Sequence, residues 1–230
     1  MLNLLKISTP AFKELLPDSV AEKLIKASVL VKYSHGQLIH TRGALKPGLS
    51  IVRKGAAHVG VNGIDGTFVM VAALGPGECF GEFTLFTELP RTHDISSIGE
   101  TEVYQLSKPK FERLYEREPS ISRALLKTTL TRTHLLLEML DAIRRLPILE
   151  RTAKILLSMS FTLGDSTTLQ GRQDELAFTL GVTRVSLSKA LKQLSQLGLV
   201  EIGYGKIIIP NQSALLRWVE EHCGLSLIHI

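Results

Sequence analysis

The 230-residue sequence predicts an α+β fold: an N-terminal antiparallel β-domain, a long helix, and then two short helices followed by a hairpin. Three observations predict it. Short segments that alternate in polarity or are β-branched, separated by glycines, occupy residues 28–108. Residues 120–146 have the apolar spacing of a helix. Residues 172–210 contain two helix-like segments joined by a glycine turn.

The β-domain is predicted from its turns as much as from its strands. Residues 10–27 have helical spacing, and the period then changes. The following glycines divide the chain into short segments: Gly36, Gly43, Gly48, Gly55, Gly63, Gly66, Gly75 and Gly77. The stretch "VNGIDGTFV" is typical of a hairpin tip, and residues 94–108 supply one or two more strands. Many short antiparallel strands indicate a small barrel or sandwich.

The long helix predicted over residues 120–146 would extend about 40 Å at 1.5 Å per residue. One set of its apolar residues is spaced near a heptad seam: Ile121, Leu125, Leu135, Met139, Ala142 and Leu146. A second set lies on other faces: Leu126, Leu130, Leu136, Leu137, Leu140 and Ile143. A helix that is apolar around so much of its circumference needs two surfaces to pack against. We therefore favour a dimer seam over packing on its own domain alone.

Pro147 follows this helix, and we place a domain boundary near residues 143–148. The predicted parts are a sensor domain, a dimerisation helix and a C-terminal domain, at residues 1–118, 119–146 and 147–230.

The composition, with 44% hydrophobic and 21% charged residues, is that of a soluble globular protein. No apolar run reaches the roughly 18 residues that span a bilayer. The N-terminal stretch lacks a small-residue cleavage site, so we expect mature protein and not a signal peptide. Two distant cysteines, Cys79 and Cys223, form no disulfide framework and fit a reducing cytoplasm.

The C-terminal motif is the most informative part of the chain. The segment "QDELAFTLG" is predicted to be a short helix that ends at Gly181. Thr183 is a candidate N-cap for a second helix that runs to about Leu197. The segment "LVEIGYGKIIIP" then predicts two strands around a Tyr-Gly turn. This order indicates a winged helix-turn-helix.

The second helix has one apolar and one basic face. At about 100° per residue, the leucines fall together on one side, and Arg184, Lys189 and Lys192 fall with short residues on the other. Residues 183–198 contain no acid, whereas ordinary solvated surfaces mix signs. The net charge of +5 also lies partly here, because residues 142–230 carry ten Lys or Arg against seven Asp or Glu. We therefore favour binding to double-stranded DNA over a merely solvated face.

The chemistry of each side chain suggests its role. Arg184 can bond in bidentate fashion to guanine, Lys189 can contact guanine or phosphate, and Val185 can only make apolar contact, for example with a thymine methyl. The candidate phosphate contacts, which would set the register, are Thr183, Ser186, Gln173, Tyr204 and Lys206. The predicted DNA-binding residues are Arg172, Gln173, Thr183, Arg184, Val185, Ser186, Ser188, Lys189, Lys192, Tyr204 and Lys206.

The whole pattern resembles the cyclic-AMP receptor/FNR family of bacterial transcription regulators, over about residues 10–210. Three stretches carry the resemblance: "GPGECFGEFTLF", the "PRT" that follows, and "TRVSLSKALKQLSQLGLV" with its "GYGKIII" wing. The resemblance implies a jelly-roll (β-roll) sensor domain of the cyclic-nucleotide-binding kind, a dimerising helix and a DNA-binding domain. It also implies a homodimer that binds an operator, and RNA polymerase as a partner.

The resemblance further implies an effector site in the loop 80–94, at Gly81, Glu82, Phe83, Arg91 and Thr92. In nucleotide-binding members the glycine-glutamate pair holds the ribose and the arginine holds the cyclic phosphate, which suits an arginine fork. Here His93 and Asp94 depart from the pattern, and leucines in 134–140 replace a Thr-Ser pair that holds adenine. Three alternatives stay open: a cyclic nucleotide, which is not favoured; another small ligand; and a structural loop without a ligand.

Other kinds of site are weakly supported. Four histidines in the β-region, His35, His40, His58 and His93, form no His-x-His pair, so we expect no metal site. Two cysteines are too few for a four-cysteine cluster, although haem ligation by Cys79 or His93 stays open. The sequence contains no Ser-His-Asp, Walker or Rossmann pattern, so we expect no enzyme and no catalytic residues. The rival hypotheses are a constitutive regulator whose pocket is vestigial, and a β-roll metal-binding protein or enzyme.

Overall fold

The computed structural model describes residues 10–62, 68–160, 168–170 and 173–223. The first part contains a 3₁₀ turn at Phe12–Leu15 and then α1 (Asp18–Ala27), β1 (Val29–Tyr33), β2 (Leu38–His40), β3 (Gly48–Asn62), β4 (Phe68–Leu74), β5 (Cys79–Phe80), α2 (Glu82–Phe86), β6 (Asp94–Ser107) and α3 (Lys108–Tyr115). The second part contains α4 (Pro119–Arg145), α5 (Ile148–Ser160), β7 (Thr168–Gln170), α6 (Gln173–Thr179), α7 (Arg184–Gln196), β8 (Glu201–Gly203), β9 (Lys206–Ile208) and α8 (Gln212–Cys223).

The described chain forms two compact units, one up to Thr133 and one from His134 onward, so that α4 contributes to both. The α+β fold class is confirmed. The domain bounds drawn from the sequence stay a prediction.

The first unit is built around one antiparallel sheet with strand order β1-β6-β3-β4. The two longest strands, β3 and β6, lie side by side at its centre with Val52 opposite Val103. The short strand β2 pairs with β6, and β5 pairs with β3. The predicted hairpin tip after β3 falls largely outside the described residues, but the strands on either side of it pair as expected.

Two apolar clusters hold this unit together. One packs on the inner face of the sheet, inside the β-roll, and includes Val52, Phe80 and Val103. The other lies between the sheet and the helices and includes Phe12 and Phe111. The strands alternate between these clusters because successive side chains point to opposite faces of a sheet. The two residues of β5 are buried, Cys79 in one cluster and Phe80 in the other, and this fixes the start of the loop that follows.

The structure corrects the assignment of the apolar faces of α4. Ile121 and Leu125 are buried in the first unit, and Ala142 and Leu146 are buried in the second, so they cannot form a dimer seam. The exposed apolar residues belong to the set placed on other faces: Leu126, Leu130, Leu136, Leu137 and Leu140. Apolar periodicity identified the helix but not which of its faces stays open to solvent, because leucines occur on nearly all of them.

The second unit packs α5, α6, α7 and α8 around a single core that includes Leu156, Leu176, Leu187, Leu191 and Leu215. A three-stranded sheet with order β7-β9-β8 completes it. The predicted wing is present as β8 and β9, and β7 adds a third strand that the sequence did not indicate. This core fixes α7 from one side and leaves its other side open.

Candidate functional site

The turn between α6 and α7 forms as the sequence predicts. Gly181 has a φ of +64°, a left-handed conformation in which a glycine is favoured. Thr183 is the N-cap of α7, and its Oγ1 accepts a hydrogen bond from the backbone N–H of Ser186 at 3.2 Å. The cap fixes where α7 begins, and so it fixes the direction in which the first residues of the helix project.

The apolar face of α7 is sealed. Leu187, Leu191 and Leu194 are fully buried in the core of the second unit, and Ala190 on the same face is 1% exposed. Such a buried stripe prevents α7 from rotating about its axis without exposing leucines. The opposite face is therefore held in one orientation.

That opposite face carries the predicted DNA-binding side chains. Thr183, Arg184, Lys189 and Lys192 are exposed, and Val185 is 66% exposed. The short residues Ser186 and Ser188 are half-buried beside them. We call this surface the recognition face, defined by residues 183, 184, 185, 186, 188, 189 and 192. It brings together cations, one apolar side chain and small hydroxyls, which is the combination that base edges and phosphates in a major groove require.

An acid that the sequence analysis missed lies beside this face. Asp174, the second residue of α6, forms an ion pair with Arg184, with 3.4 Å between Oδ1 and Nε. The charge count over residues 142–230 includes Asp174 but does not indicate that this acid pairs with Arg184. The signal that could have found it is an acid at the start of the preceding helix, because that helix packs against α7.

The other predicted DNA contacts lie in the wing and at the start of α6. Tyr204 is fully exposed at the tip between β8 and β9, and Lys206 is exposed at the start of β9. Gly205 has a φ of +65°, which gives the wing its tight turn. Gln173 is the half-buried first residue of α6. Arg172 lies outside the described residues.

The loop after β5 begins at a glycine that no other residue could replace. Gly81 has a φ of +101°, and a Cβ built on it would overlap the carbonyl oxygen of Gly48. The same Cβ would lie 3.4 Å from Nη1 of Arg91. The close approach of these three residues requires a glycine at this position, and it brings Glu82 and Arg91 to the same end of the β-roll.

Arg91 is unusually buried for an arginine, with 8% of its surface exposed. Its Nη2 donates to the carbonyl oxygen of Lys46 at 2.9 Å, whereas its Nε is buried without a hydrogen-bond partner among the described residues. Burial lowers the pKa of Arg91, and the negative charge of Glu82 offsets part of that effect. The guanidinium therefore has donor capacity that the protein leaves unused.

Glu82 is the first residue of α2 and is paired with Arg132, which was not predicted from the sequence to contribute to this site. Nη1 of Arg132, on α4, lies 3.2 Å from Oε1 of Glu82, and Nη2 donates to the carbonyl oxygen of Cys79 at 3.0 Å. The other carboxylate oxygen, Oε2, is buried without a partner in the described structure. Arg132 has no distinct signal in the sequence, because α4 also contains Arg123, Lys127, Arg144 and Arg145.

Of the other loop residues, Phe83 and Thr92 are exposed, His93 is half-buried and Asp94 is buried. Phe83 is half-exposed, and Thr92 Oγ1 lies 2.8 Å from Nδ1 of His93. Burial and the charge of Arg42 lower the pKa of His93, and Asp94 raises it. Asp94 accepts a hydrogen bond from the backbone N–H of Arg42 at 2.7 Å. The loop thus keeps both anchor residues, Glu82 and Arg91, but the hydroxyl of Thr92 is already hydrogen-bonded to the ring of His93.

No group of three or more His, Cys, Asp or Glu side chains that could hold a metal ion occurs in the described ranges. Cys79 is fully buried, and burial raises the pKa of its thiol. A search of the described helices for a span long and apolar enough to cross a membrane finds none.

Comparison with known proteins adds the family. Residues 30–118 match the model of a cyclic nucleotide-binding domain, and residues 150–218 match that of a Crp-like helix-turn-helix domain. The cyclic AMP receptor protein of Thermus thermophilus is 29% identical over 212 residues, which cover 91% of this chain and 95% of that protein. The chain belongs to the cyclic AMP receptor/FNR family of transcription regulators.

Another member of this family is similar over nearly the same length. A CRP-like cAMP-activated global transcriptional regulator of Mycobacterium tuberculosis is 24% identical over 212 residues, 90% of this chain and 94% of that protein. The fold is also shared with a solved CooA mutant from Carboxydothermus hydrogenoformans, with a TM-score of 0.75 and 16% identity over 94% of this chain and 99% of that one. This chain is a transcription regulator with a cyclic nucleotide-binding domain and a DNA-binding helix-turn-helix domain.

Proposed function

We propose that this regulator is a homodimer that binds a specific, pseudo-palindromic DNA operator in the cytoplasm. It acts by binding and not by catalysis, and RNA polymerase is its partner at the promoter. One observation carries the proposal. The recognition face of α7 is exposed and rich in cations, while the leucines behind it are sealed in the core. The domains we assign are 1–118 for the sensor, 119–146 for dimerisation and 147–230 for DNA binding.

Within this proposal the side chains divide into two groups. Arg184, at the first residue of α7, donates to a guanine edge, and Val185 packs against a thymine methyl. Lys192, Tyr204 and Lys206 hold phosphates and set the register on the duplex. Half-sites would lie about one helical turn, roughly 34 Å, apart.

The exposed stripe along α4 supports the homodimer. Leu126, Leu130, Leu137 and Leu140, with Thr133 between them, are spaced at alternating steps of four and three residues, and all five are exposed in the single chain. Alternating steps of this kind place residues along one seam of a two-stranded coiled coil. Four large exposed leucines in one line are also an apolar patch that a soluble monomer rarely leaves open.

The loop that holds Glu82 and Arg91 supports control by a small effector at the β-roll. Both residues are largely buried, and each has one polar atom without a partner among the described residues. A buried, partly unsatisfied arginine beside a strained glycine is a site for an anionic group. A cyclic nucleotide is one candidate for that group, and it would be held through Gly81, Glu82, Arg91 and Thr92.

The experiment is selection of bound duplexes from a random DNA library, followed by fluorescence anisotropy with the selected site. We expect an inverted repeat with half-sites about one helical turn apart. Arg184→Ala should abolish discrimination between the selected and a scrambled site, whereas Lys206→Ala should weaken both about equally. Recovery of no enriched sequence, or unchanged discrimination by Arg184→Ala, would contradict the proposal.

A further inference from the structure

The β-roll contains a cavity of about 440 Å³ that does not coincide with the effector loop. It lies between β1, β2, the start of β3 and the end of β6, and we call it the β1–β6 cavity. Its lining residues are Val29, Tyr33, Ile39, His40, Lys46, Pro47, Gly48, Leu49, Ser50, Arg91, Gln105, Leu106, Ser107 and Lys110. Of the five loop residues predicted to hold an effector, Arg91 alone belongs to this lining. The volume is that of a small-molecule site.

The charge of the cavity is one-sided. Arg91, Lys46 and Lys110 contribute three cations, and none of the residues that line it is an Asp or a Glu. The two lysines are exposed and Arg91 is buried, so the lysines lie toward solvent and the arginine lies inside. Nζ of Lys110 is held at 3.0 Å from the carbonyl oxygen of Ala27. Walls that carry one sign of charge concentrate ligands of the opposite sign.

The burial of Arg91, which also supports an effector at the loop, bears on this cavity as well. The side chain is more than nine-tenths buried, and its Nε has no hydrogen-bond partner among the described residues. A buried donor normally has a partner, and a guanidinium binds carboxylates and phosphates through two N–H groups at once. Nε itself has no accessible surface, so an anion in the cavity would bond to it only after the Arg91 side chain turned toward the cavity.

The rest of the lining limits what else the ligand carries. One part of the wall is apolar and consists of Val29, Ile39, Leu49 and Leu106. The polar groups already have partners: His40 Nε2 lies 3.0 Å from Ser50 Oγ, and Gln105 Nε2 donates to the Tyr33 hydroxyl at 2.7 Å. The cavity therefore suits an anionic group joined to a compact apolar body.

We propose that the β1–β6 cavity binds a small organic anion, a carboxylate or a phosphate monoester with an apolar body, whose anionic group is held by Arg91. This inference rests on the proposed control by a small effector. It adds a second position, in the cavity and not at the loop, from which a ligand would contact Arg91. Because one guanidinium would serve both sites, an anion in the cavity and a cyclic nucleotide at the loop would compete. Operator binding would then respond to the ratio of the two ligands.

The test uses the full chain and isothermal titration with three probes of similar shape: benzoate, phenyl phosphate and neutral benzamide. We expect at least one of the two anions to bind and benzamide not to bind. The relative affinities of benzoate and phenyl phosphate then show whether the site prefers a carboxylate or a phosphate. Val29→Trp, at the exposed edge of the cavity, should abolish anion binding, and Lys110→Gln should weaken it about tenfold. The matched controls Leu30→Trp and Lys108→Gln change neighbouring residues outside the lining and should bind like wild type.

Several results would overturn the proposal. These are binding of neither anion at millimolar concentration, equal binding of benzamide, and wild-type binding by Val29→Trp together with loss in Glu82→Gln, which would put the anion at the loop. Circular dichroism of each variant establishes that it is folded. Anisotropy with the selected operator keeps the two hypotheses apart. If the protein binds the anion but not the operator, the regulator proposal is contradicted. If it binds the operator but not the anion, only the proposal of an anion site in the cavity is contradicted.

Discussion

Arg184, the residue proposed to contact guanine, is held by Asp174 of the preceding helix across 3.4 Å. Both side chains are largely exposed, so the pair contributes little to stability. Its consequence is electrostatic and geometric: the carboxylate restrains the guanidinium and places a negative charge where the DNA backbone would approach. Asp174 is thus placed to lower affinity for DNA in general while it orients the side chain proposed to recognise a base.

We predict that Asp174→Asn raises affinity for scrambled DNA more than affinity for the selected operator. Loss of the acid frees about one more cation for phosphate contact, so the salt slope of binding should steepen by about one. Anisotropy titrations from 50 to 200 mM salt, conditions in which such slopes are resolved, measure this. Glu221→Gln, in α8, is the matched control with the same change of charge, and an equal effect in both variants would contradict a local role for Asp174.

Val185 predicts a base preference that can be tested on the DNA. An exposed valine on the recognition face can contact a thymine methyl and nothing polar. Replacing the contacted thymine by uracil removes one methyl, worth about 0.8 kcal/mol, and should weaken operator binding about fourfold. Val185→Ser should bind the thymine and uracil operators equally. If no single uracil substitution within the half-site weakens wild-type binding, Val185 does not have this role.

The structural features of α7 that were predicted correctly from sequence are those that local rules specify. Thr183 caps α7 because its hydroxyl reaches the N–H of Ser186, three residues away. The leucines of α7 are buried because their spacing alone places them on one side of the helix. A contact that lies within a helix or a turn depends on few residues, and these are adjacent in the sequence.

The parts that were missed depend on contacts between distant segments. Arg132 meets Glu82 across fifty residues of chain, and β7 pairs with β9 across a whole helix-turn-helix. On α4 the sequence contained leucines on nearly every face, and only packing of the surrounding elements decides which ones stay exposed. Periodicity gives the element and its faces, whereas tertiary structure chooses the partner of each face.

Dimerisation through the exposed stripe of α4 predicts different outcomes for two neighbouring leucines. Leu137 lies in the stripe, and Leu136, similarly exposed, lies one position outside it. Leu137→Glu would bury a carboxylate in the seam and should raise the dimer dissociation constant about 100-fold, whereas a charge at the flanking position is ordinary in coiled coils. Sedimentation equilibrium measures both variants. Similar dimer affinities for Leu137→Glu and Leu136→Glu would contradict the proposed seam.

The pair of Arg132 and Glu82 predicts a thermodynamic coupling in the first unit. Their side chains are 24% and 12% exposed, so removing the cation leaves a mostly buried carboxylate without its charge partner. We expect Arg132→Ala to lower the free energy of unfolding by about 2 kcal/mol, and the double variant with Glu82→Gln to recover about half of that loss. Urea unfolding followed by circular dichroism measures the cycle. Additive losses in the double variant would mean that the two side chains do not interact.

His40 predicts how stability depends on pH. Burial, and then the charges of Arg91 and Lys46, lower the pKa of His40 from 6.5 to about 3. Between pH 6.5 and about pH 3, His40 is protonated in the unfolded chain and neutral in the folded chain. The free energy of unfolding contributed by this residue is therefore constant above pH 6.5 and falls as the pH drops toward 3. The ring stays neutral in the folded protein throughout this window.

His40→Gln removes this titration while keeping a side chain that can bond to Ser50. We expect the variant to lose less stability than wild type when thermal unfolding is compared at pH 7.5 and pH 4.5, in buffers without organic anions. His93, whose pKa is also lowered by burial, is present in both proteins and contributes equally to both profiles. Parallel pH profiles for the two proteins would contradict a buried, neutral His40.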